Sequence, residues 1–286
     1  MNSDLYKRGS ELLYDTTVCV FTLNRFELSR ATILSVLAFA PTAGRVLVID
    51  DCSDDIRLTN WLRVLARHDL IELVERMKKR NIGHMYRMLA KNYTGEHQYL
   101  VSLDNDVLVG PDALQVLVAA LEHWESYGVA MLGSFGCHLH PPQSNGEVWQ
   151  VLDRYTDSPL FAVRSDVFGE MWDDIKPSRR RPFVRFSKNL RARKLKRSLQ
   201  VNPRVNAIHL GAVDSTMNHS VDAFPPGLYG WFDTPCSPLP DLDVKDCEQR
   251  YPKSVWEIGT RLRDKYMNGA IQDALVIADK ECGYNE

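Results

Sequence analysis

Residues 99–106 read YLVSLDND, a short and largely apolar run that ends in three polar residues, Asp104, Asn105 and Asp106. Short apolar runs of this length predict a buried strand. A strand without polar alternation is typical of a parallel sheet, in which helices cover both faces. The stretch therefore predicts a parallel strand with acidic residues at its carboxyl end.

Runs of the same kind lie on both sides of this stretch and alternate with helical patterns. The predicted strands are 17–22, 45–50, 71–74, 99–103, 129–132, 160–164 and 206–210. The predicted helices are 28–40, 56–67, 82–92, 111–124, 165–172, 255–266 and 270–280. Strands that alternate with helices of this length form right-handed βαβ units. The sequence therefore predicts an α/β fold, with a mostly parallel sheet flanked by helices.

The composition is that of a folded chain. The 286 residues are 44% hydrophobic and 25% charged, which excludes a largely disordered protein. No apolar run approaches the roughly 20 residues that span a bilayer, and residues 1–15 lack the apolar core of a signal peptide. The 6 cysteines form no CxxC pair, so we expect neither a zinc ribbon nor a disulfide scaffold. The expected location is the cytoplasm, either free or at the inner face of the membrane.

Polar residues collect after the predicted strands. In open α/β sheets, ligands bind beyond the carboxyl ends of the strands. The polar residues at these positions are Asn24, Arg25, Asp50, Asp51, Arg80, Asn81, Asp104, Asn105 and Asp106. The sequence therefore predicts a ligand site at this edge of the sheet.

Asp104 and Asp106 are the strongest candidates for a metal site. Successive strand residues point to opposite faces, so the two aspartates are expected on the same side. Two carboxylates held this close repel each other, and a divalent cation relieves the repulsion. Mg²⁺ and Mn²⁺ take one or two protein carboxylates and complete their shell with water and phosphates. The alternative is a solvated turn in which an aspartate caps the next helix.

The acidic run at 50–55 divides into two parts. Ser53 is placed to cap the next helix, and Asp54 and Asp55 favour its positive end. Asp50 and Asp51 come too early for capping. A carboxylate at a strand end can accept hydrogen bonds from a nucleobase or a ribose hydroxyl, so these two are candidate nucleotide ligands.

Several other functional classes lose their support because their motifs are absent. The chain has no GxGxxG after a strand, no GxxxxGK[ST] and no GxSxG, the motifs of dinucleotide-binding proteins, P-loop NTPases and α/β-hydrolases. The residues after Asp104 also lack the ligand spacing of an EF-hand.

Taken together, four segments resemble the family 2 glycosyltransferases of the GT-A fold. They are TLNR at 22–25, IDDCSD at 49–54, RNIG at 80–83 and LDND at 103–106. The resemblance covers about the first 170 residues and implies a nucleotide-diphosphate-sugar donor together with Mn²⁺ or Mg²⁺.

The resemblance also implies roles for the residues after the first two strands. Thr22, Asn24 and Arg25 would line the nucleotide pocket. Asp51, together with Asp50, would bind the base or the ribose.

Similar roles follow for the other two segments. Arg80 and Asn81 would approach the base or the phosphates, and Asn105 belongs to the same donor-binding set. Asp104 and Asp106 would hold the donor ribose and the metal ion on the diphosphate.

Family members often supply a further metal or phosphate ligand from a histidine after the last strand of the sheet. His209, which lies in the last predicted strand, is at such a place. The alternative is a half-buried histidine whose ring is satisfied by protein groups.

The catalytic base is the point at which the sequence departs from the family. Inverting members usually carry an acidic pair at a helix start after the acceptor strand, for which 158–168 fits the leading segment. No Glu-Asp pair follows it. Asp173 and Asp174 are the nearest acidic pair, Asp157 and Asp214 are other options, and inversion or retention stays open.

A basic stretch at 178–198 is the one strong shift in composition. It holds ten Lys or Arg and no acidic residue, so the remainder of the chain is strongly acidic. It is either a solvated segment, a contact with an anionic membrane surface or a nucleic-acid contact. In the membrane interpretation, which we favour over nucleic acid, five apolar residues would insert beside the charges: Phe183, Phe186, Leu190, Leu195 and Leu199.

These observations predict three regions and one activity. Residues 1–135 would bind the nucleotide sugar, 136–222 the acceptor, and 223–286 would form a loop and a helical appendage. The predicted activity is metal-dependent transfer of a sugar to a hydroxyl of a glycan or a lipid-linked glycan. The alternatives are a glycosyltransferase acting on nucleic acid, a nucleotidyltransferase, and a nucleic-acid-binding protein without enzymatic activity.

Overall fold

The computed structural model describes residues 3–133, 151–152, 159–177, 182–200, 207–209 and 252–283. The strands are β1 Thr16–Thr22, β2 Arg45–Asp50, β3 Glu72–Glu75, β4 Tyr99–Asp104, β5 Val107–Val109, β6 Val129–Gly133, β7 Val151–Leu152, β8 Leu160–Arg164, β9 Lys196–Gln200 and β10 Ala207–His209. The helices are α1 Ser3–Leu13, α2 Phe26–Phe39, α3 Ile56–Arg67, α4 Ile82–Asn92, α5 Ala113–Glu125, α6 Ser165–Glu170, α7 Val184–Ala192, α8 Pro252–Tyr266 and α9 Gly269–Glu281, with a 3₁₀ turn at Trp172–Asp174.

The central sheet has the strand order β3-β2-β1-β4-β8-β6-β9-β7. Strands β3, β2, β1 and β4 are parallel neighbours, whereas β8 is antiparallel to both β4 and β6. Strands β5 and β10 form a separate antiparallel pair. The predicted α/β fold with a mostly parallel sheet is therefore confirmed.

Strand β1 shows why the parallel part of the sheet is apolar throughout. All 7 of its residues are buried. Val18 and Val20 belong to the core on one face of the sheet, which α2, α3 and α5 cover. Cys19 and Phe21 belong to the core on the other face, which α4, α6 and α7 cover. Helices on both faces exclude water from both sets of side chains.

The two C-terminal helices are bound to the first half of the chain. Helix α8 packs on α2, and α9 packs on α3. The carboxylate of Asp279 accepts hydrogen bonds from Arg30 Nε at 2.9 Å and Arg30 Nη2 at 2.5 Å. It also accepts from Arg263 Nη1 at 2.8 Å and from Trp61 Nε1 at 3.1 Å. The guanidinium of Arg30 lies over the ring of Trp256, 3.7 Å from its centroid.

Most of the described part of the basic stretch forms regular structure. Residues 184–192 form α7, and β9 pairs in parallel with β6. Phe183, Phe186 and Leu190 are buried, with 1%, 0% and 0% of their surface exposed, and Leu195 packs against the same core. The prediction that these side chains insert into a membrane is therefore wrong, because they already fill the core under the sheet.

The positive charges of the stretch that belong to α7 lie on the outer face of this helix. Arg185 and Lys188 are exposed, whereas Phe186 and Leu190 face the core. Residues 178–181 and the side chain of Leu199 lie outside the described part of the chain. Across the described ranges, none of the helices combines the length and apolar character that a membrane crossing requires.

Candidate active site

The carboxyl ends of three parallel strands meet at one edge of the sheet. In the register of β1 and β2, Thr22 lies opposite Asp50. In the register of β1 and β4, Phe21 lies opposite Asp104. The loops that follow these strands are therefore neighbours, in agreement with the predicted ligand edge at the carboxyl ends of the strands.

The loop after β1 has an unusual backbone. Asn24 and Arg25 both lie in the left-handed region, with φ of 54° and 58°, a conformation that costs a residue with a side chain roughly 1–2 kcal/mol. Hydrogen bonds to the loop after β2 hold it in place. Asn24 N donates to Ser53 Oγ at 2.7 Å, and Asp54 N donates to Asn24 Oδ1 at 2.7 Å. Strained backbone held by its surroundings is typical of functional sites.

Asp50 ties together the ends of β1 and β2. Its carboxylate accepts from Thr22 Oγ1 at 2.9 Å, from Ser53 Oγ at 2.5 Å and from Ser53 N at 2.8 Å. Asp50 is 2% exposed and Thr22 1% exposed. In this structure Asp50 and Thr22 thus bind each other. The expectation that Ser53 caps α3 is wrong, because Asp55 is the N-cap and accepts from Arg57 N at 3.1 Å.

Asp51 lies in a cationic pocket. Its carboxylate accepts from Arg76 Nη1 at 2.8 Å and from the backbone N–H of Arg80 at 3.1 Å. Burial raises the pKa of the Asp51 carboxyl, and the Arg80 N–H and the charge of Arg76 offset part of that rise. Arg76 was not among the predicted site residues. Its position at the start of the basic run RMKKR, directly after β3, was the available signal.

Helix α4 points its amino terminus toward the same pocket. Asn81 is its N-cap, and its side-chain oxygen accepts from Gly83 N at 3.1 Å and from His84 N at 3.4 Å. Burial, followed by the charges of Arg80 and Arg76, lowers the pKa of His84. A helix amino terminus beside arginines favours the binding of anions such as phosphates.

The acidic segment after β4 is a turn and not a continuing strand. Asp104 is the last residue of β4, and Asn105 and Asp106 form the turn before β5. The strand-alternation argument for Asp104 and Asp106 is therefore wrong, because it fails beyond residue 104. The side chain of Asn105 donates to Ser29 Oγ at 3.0 Å and so contacts α2.

Asp106 is buried, with 6% of its surface exposed. Its Oδ2 accepts from Arg25 Nη1 at 2.8 Å, which joins the loop after β4 to the loop after β1. Asp104 is partly exposed, and its backbone N–H donates to the carbonyl of Pro159 at 2.9 Å.

His209 comes close to this turn through the backbone. Strand β10 pairs with β5 so that His209 lies opposite Val107, the residue after Asp106. The side chain of His209 lies outside the described part of the structure. Two carboxylates and an imidazole are a donor set that suits Mn²⁺. Among the side chains that the structure describes, no three His, Cys, Asp or Glu residues form a group that could hold a metal ion.

Two of the candidates for the catalytic base, Asp173 and Asp174, lie in the 3₁₀ turn that precedes α7. Asp173 is exposed and pairs with Arg87 Nη2 at 3.0 Å. Asp174 is buried, accepts from Asn189 Nδ2 at 2.5 Å and pairs with Arg185 Nε at 3.1 Å. The first turn of α7 contains no acidic residue, in agreement with the missing acidic pair. Asp157 and Asp214 lie outside the described residues.

The sequence matches a known enzyme family. The profile of glycosyl transferase family 2 matches residues 17–168, just over half of the chain. The chain therefore belongs to glycosyl transferase family 2, a family of glycosyltransferase enzymes. No curated protein sequence matches the chain significantly.

A solved structure of a glycosyltransferase shares the fold. GalNAc-T7, solved with UDP, GalNAc and Mn²⁺, matches with a TM-score of 0.51 and 13% identity, over 94% of this chain and 55% of that chain. The fold of the present chain is accordingly the GT-A fold.

Two further similar structures have lower scores. TarS 1–349 from S. aureus has a TM-score of 0.45 and 16% identity, over 66% of this chain and 58% of that chain. The mannosyltransferase PcManGT from Pyrobaculum calidifontis, solved with GDP-Man and Mn²⁺, has a TM-score of 0.48 and 13% identity, over 98% of this chain and 87% of that chain. The chain thus spans less than two thirds of the TarS fragment.

Proposed function

We propose that this protein is a metal-dependent glycosyltransferase that moves a sugar from a nucleotide-diphosphate-sugar donor to an acceptor hydroxyl. The observation that carries the proposal is that two buried carboxylates, Asp51 and Asp106, lie at the same edge of the sheet in a chain of family 2. Each of them is paired with an arginine, Arg76 or Arg25. Anionic and cationic groups at one edge suit a donor that has both hydroxyl groups and phosphates.

The nucleoside is proposed to bind between Asp51 and the start of α4. Asp51 would accept a hydrogen bond from the base or the ribose, because each carboxylate oxygen offers more than one lone pair. Arg80, exposed at the helix start, would approach the base or the phosphates. Thr22 and Asp50 would contribute to nucleotide binding indirectly, because their hydrogen bonds fix the ends of β1 and β2.

Asn24, Asn81 and Asn105 have comparable supporting roles in the proposal. Asn24 fixes the loop after β1 to the loop after β2, and Asn81 caps α4. Asn105 connects the acidic turn to α2. The donor pocket would thus be shaped by amide side chains that bind neighbouring loops.

The metal ion is proposed to be Mn²⁺ or Mg²⁺, held by Asp104, Asp106 and His209. When bound, such an ion acts as a Lewis acid that stabilises the negative charge of the leaving diphosphate. The register that sets His209 opposite Val107 supports its inclusion. The oxygen and imidazole donors fit these cations.

The base that deprotonates the acceptor hydroxyl is proposed to be Asp174, with Asp173 and Asp157 as the other candidates. Such a group typically contributes roughly 10²–10⁴-fold to the rate. Asp174 lies against the first turns of α7 through Arg185 and Asn189. The first turn of α7 has no acidic residue of its own, and Asp174 supplies a carboxylate beside this helix. We therefore favour Asp174 over Asp173.

The acceptor is proposed to be a glycan, either free or lipid-linked, bound by 136–222. Residues 1–135 would bind the donor. Strand β8 of the acceptor region pairs with β4 of the donor region, so both regions build one sheet. The cytoplasmic location remains a prediction from the sequence.

A panel of UDP-sugars and GDP-sugars, incubated with Mn²⁺ or Mg²⁺ and without acceptor, tests the proposal. We expect slow hydrolysis of one donor, loss of that activity with EDTA, and loss in Asp106→Asn. Asp166→Asn, a change on an exposed residue of α6, is the control and should keep the activity. The proposal is wrong if no donor is hydrolysed and no donor raises the melting temperature of the protein in the presence of Mn²⁺.

A further inference from the structure

Arg25 is held firmly at the site by its neighbours in the chain. Asn24 is bonded to Ser53 and Asp54, and Phe26 is fully buried with its ring against Trp61. The backbone at 24 and 25 is left-handed, and the Arg25 side chain reaches Asp106 in the turn after β4. The guanidinium is therefore held in one position and is not a mobile surface charge.

Among the described residues, only one side of this guanidinium has an acceptor. Nη1 donates to Asp106 Oδ2 at 2.8 Å. Nε and Nη2 are buried, and neither has a hydrogen-bond partner in the described ranges of the chain. Buried charged donors without acceptors are unfavourable in free energy. Their presence at the ligand edge, without an acceptor among the described residues, points to an acceptor on a bound ligand.

The chemistry of the unsatisfied side selects that acceptor. Nε–H and one N–H of Nη2 lie on the same edge of the guanidinium and donate two parallel hydrogen bonds. This bidentate edge matches the oxygens of a phosphate or a carboxylate. At a site whose substrate has a diphosphate, the matching group is that diphosphate.

Resting on the proposed function, we propose that Arg25 binds the donor diphosphate through Nε and Nη2. In the ligand-free protein its Nη1 serves as the counter-ion of Asp106. Arg25 and a divalent ion then compete for Asp106, because both are cations that bind the same carboxylate. The nucleoside diphosphate gives Arg25 a second anionic partner, so we expect metal and nucleotide to bind cooperatively.

The test measures binding and not turnover. Titration calorimetry with UDP and GDP in EDTA reports the metal-free nucleotide affinity, and EPR titration with Mn²⁺ alone reports the metal affinity. In Arg25→Gln we expect the metal-free nucleotide affinity to fall by at least about tenfold, the usual weight of a charged hydrogen bond. We expect the affinity for Mn²⁺ alone to rise, because the competing cation is gone.

Arg45→Gln is the matched control. Arg45 is similarly buried, with 18% of its side chain exposed against 22% for Arg25, and it pairs with Glu72 at 3.1 Å. It begins β2 and so lies at the opposite edge of the sheet. Both affinities should stay within about twofold of wild type in this variant.

Three outcomes overturn the inference. A folded Arg25→Gln protein that binds metal-free UDP or GDP as wild type does would make Arg25 a structural counter-ion only. Unchanged or weaker Mn²⁺ binding in this variant would contradict the proposed competition between Arg25 and the metal ion for Asp106. Should Arg25→Gln not fold, Arg25→Lys replaces it, and wild-type nucleotide affinity there would equally contradict a bidentate contact.

The proposed function can fail separately. If the wild type binds neither UDP nor GDP, with or without Mn²⁺, the donor assignment is wrong and the role of Arg25 falls with it. If the wild type binds them and the Arg25 variants do so equally well, only the inference on Arg25 is wrong.

Discussion

Arg30 and Asp279 form a bidentate ion pair inside the protein although they are 249 positions apart in the sequence. The side chain of Arg30 is 0% exposed and that of Asp279 is 4% exposed. Arg263 donates to the same carboxylate. One carboxylate thus accepts from two buried guanidinium groups and fixes α9 to α2, the helix that begins directly after Arg25.

Asp279→Ala should therefore destabilise the fold strongly. Removal of this carboxylate leaves the buried Arg30 without its ion-pair partner, which typically costs about 3–5 kcal/mol, whereas Arg263 keeps its pair with Asp264 at 2.7 Å. Denaturant unfolding measures this loss. Asp273→Ala, at an exposed position of the same helix, is the control and should change the free energy of unfolding by at most about 0.5 kcal/mol. Equal stability of the two variants would contradict the buried ion pair.

The raised pKa of Asp51 predicts a pH dependence of stability. Burial raises this pKa above its ordinary value of 3.8, so the folded protein takes up the proton at a higher pH than the unfolded chain. Stability is then gained as the pH falls through the raised pKa toward 3.8 and lost as the pH rises again. We expect wild type to gain stability relative to Asp51→Asn over that interval, measured by urea unfolding of both proteins. A difference that is constant with pH would show that this carboxyl is not perturbed.

The cap of α4 can be separated from any contact between Asn81 and the donor. Asn81→Ala should lower the free energy of unfolding by about 0.5–2 kcal/mol, because the side chain satisfies two backbone donors of the first turn. Asn81→Ser keeps a capping oxygen and should restore most of that stability. If the serine variant is stable and also binds UDP or GDP as wild type does, the role of Asn81 is capping alone. A stable alanine variant would contradict the cap.

The burial of α7 predicts the response of the basic stretch to mutation. Phe186 is fully buried, with its ring 5.8 Å from Phe168 and 5.6 Å from Phe183 between centroids. Phe186→Ala should cost about 3–5 kcal/mol of stability. Lys188→Ala, on the exposed face of the same helix, should cost at most about 0.5 kcal/mol. A Phe186→Ala protein of wild-type stability that has lost binding to anionic vesicles would restore the membrane interpretation.

The alternation of strands and helices was predictable because it depends on local patterns. Runs such as 17–22 and 45–50 are apolar on both faces, and the structure has β1 and β2 there. The prediction failed in the basic stretch, where the many charged residues obscured the helical spacing of the apolar ones. The basic stretch at 178–198 was expected to be a surface segment, whereas the apolar residues spaced within it form the buried face of α7.

The turn after β4 shows a second limit of local reasoning. The sequence placed Asp104 and Asp106 correctly at the strand end but treated both as strand residues. A chain that turns into β5 within two residues does not continue the alternation of β4 at Asp106, and β5 is defined by its pairing with β10. Pairing between segments about 100 residues apart leaves no mark in the local pattern.

The sequence by itself determined the α/β alternation, the family resemblance and the set of polar residues at the strand ends, because each depends on residue type and spacing along the chain. Tertiary structure alone decided which of those polar residues bind one another. Thr22 with Asp50 and Arg25 with Asp106 are contacts between different loops. Buried ionic groups need partners within hydrogen-bonding distance, and only the packed sheet brings these partners together.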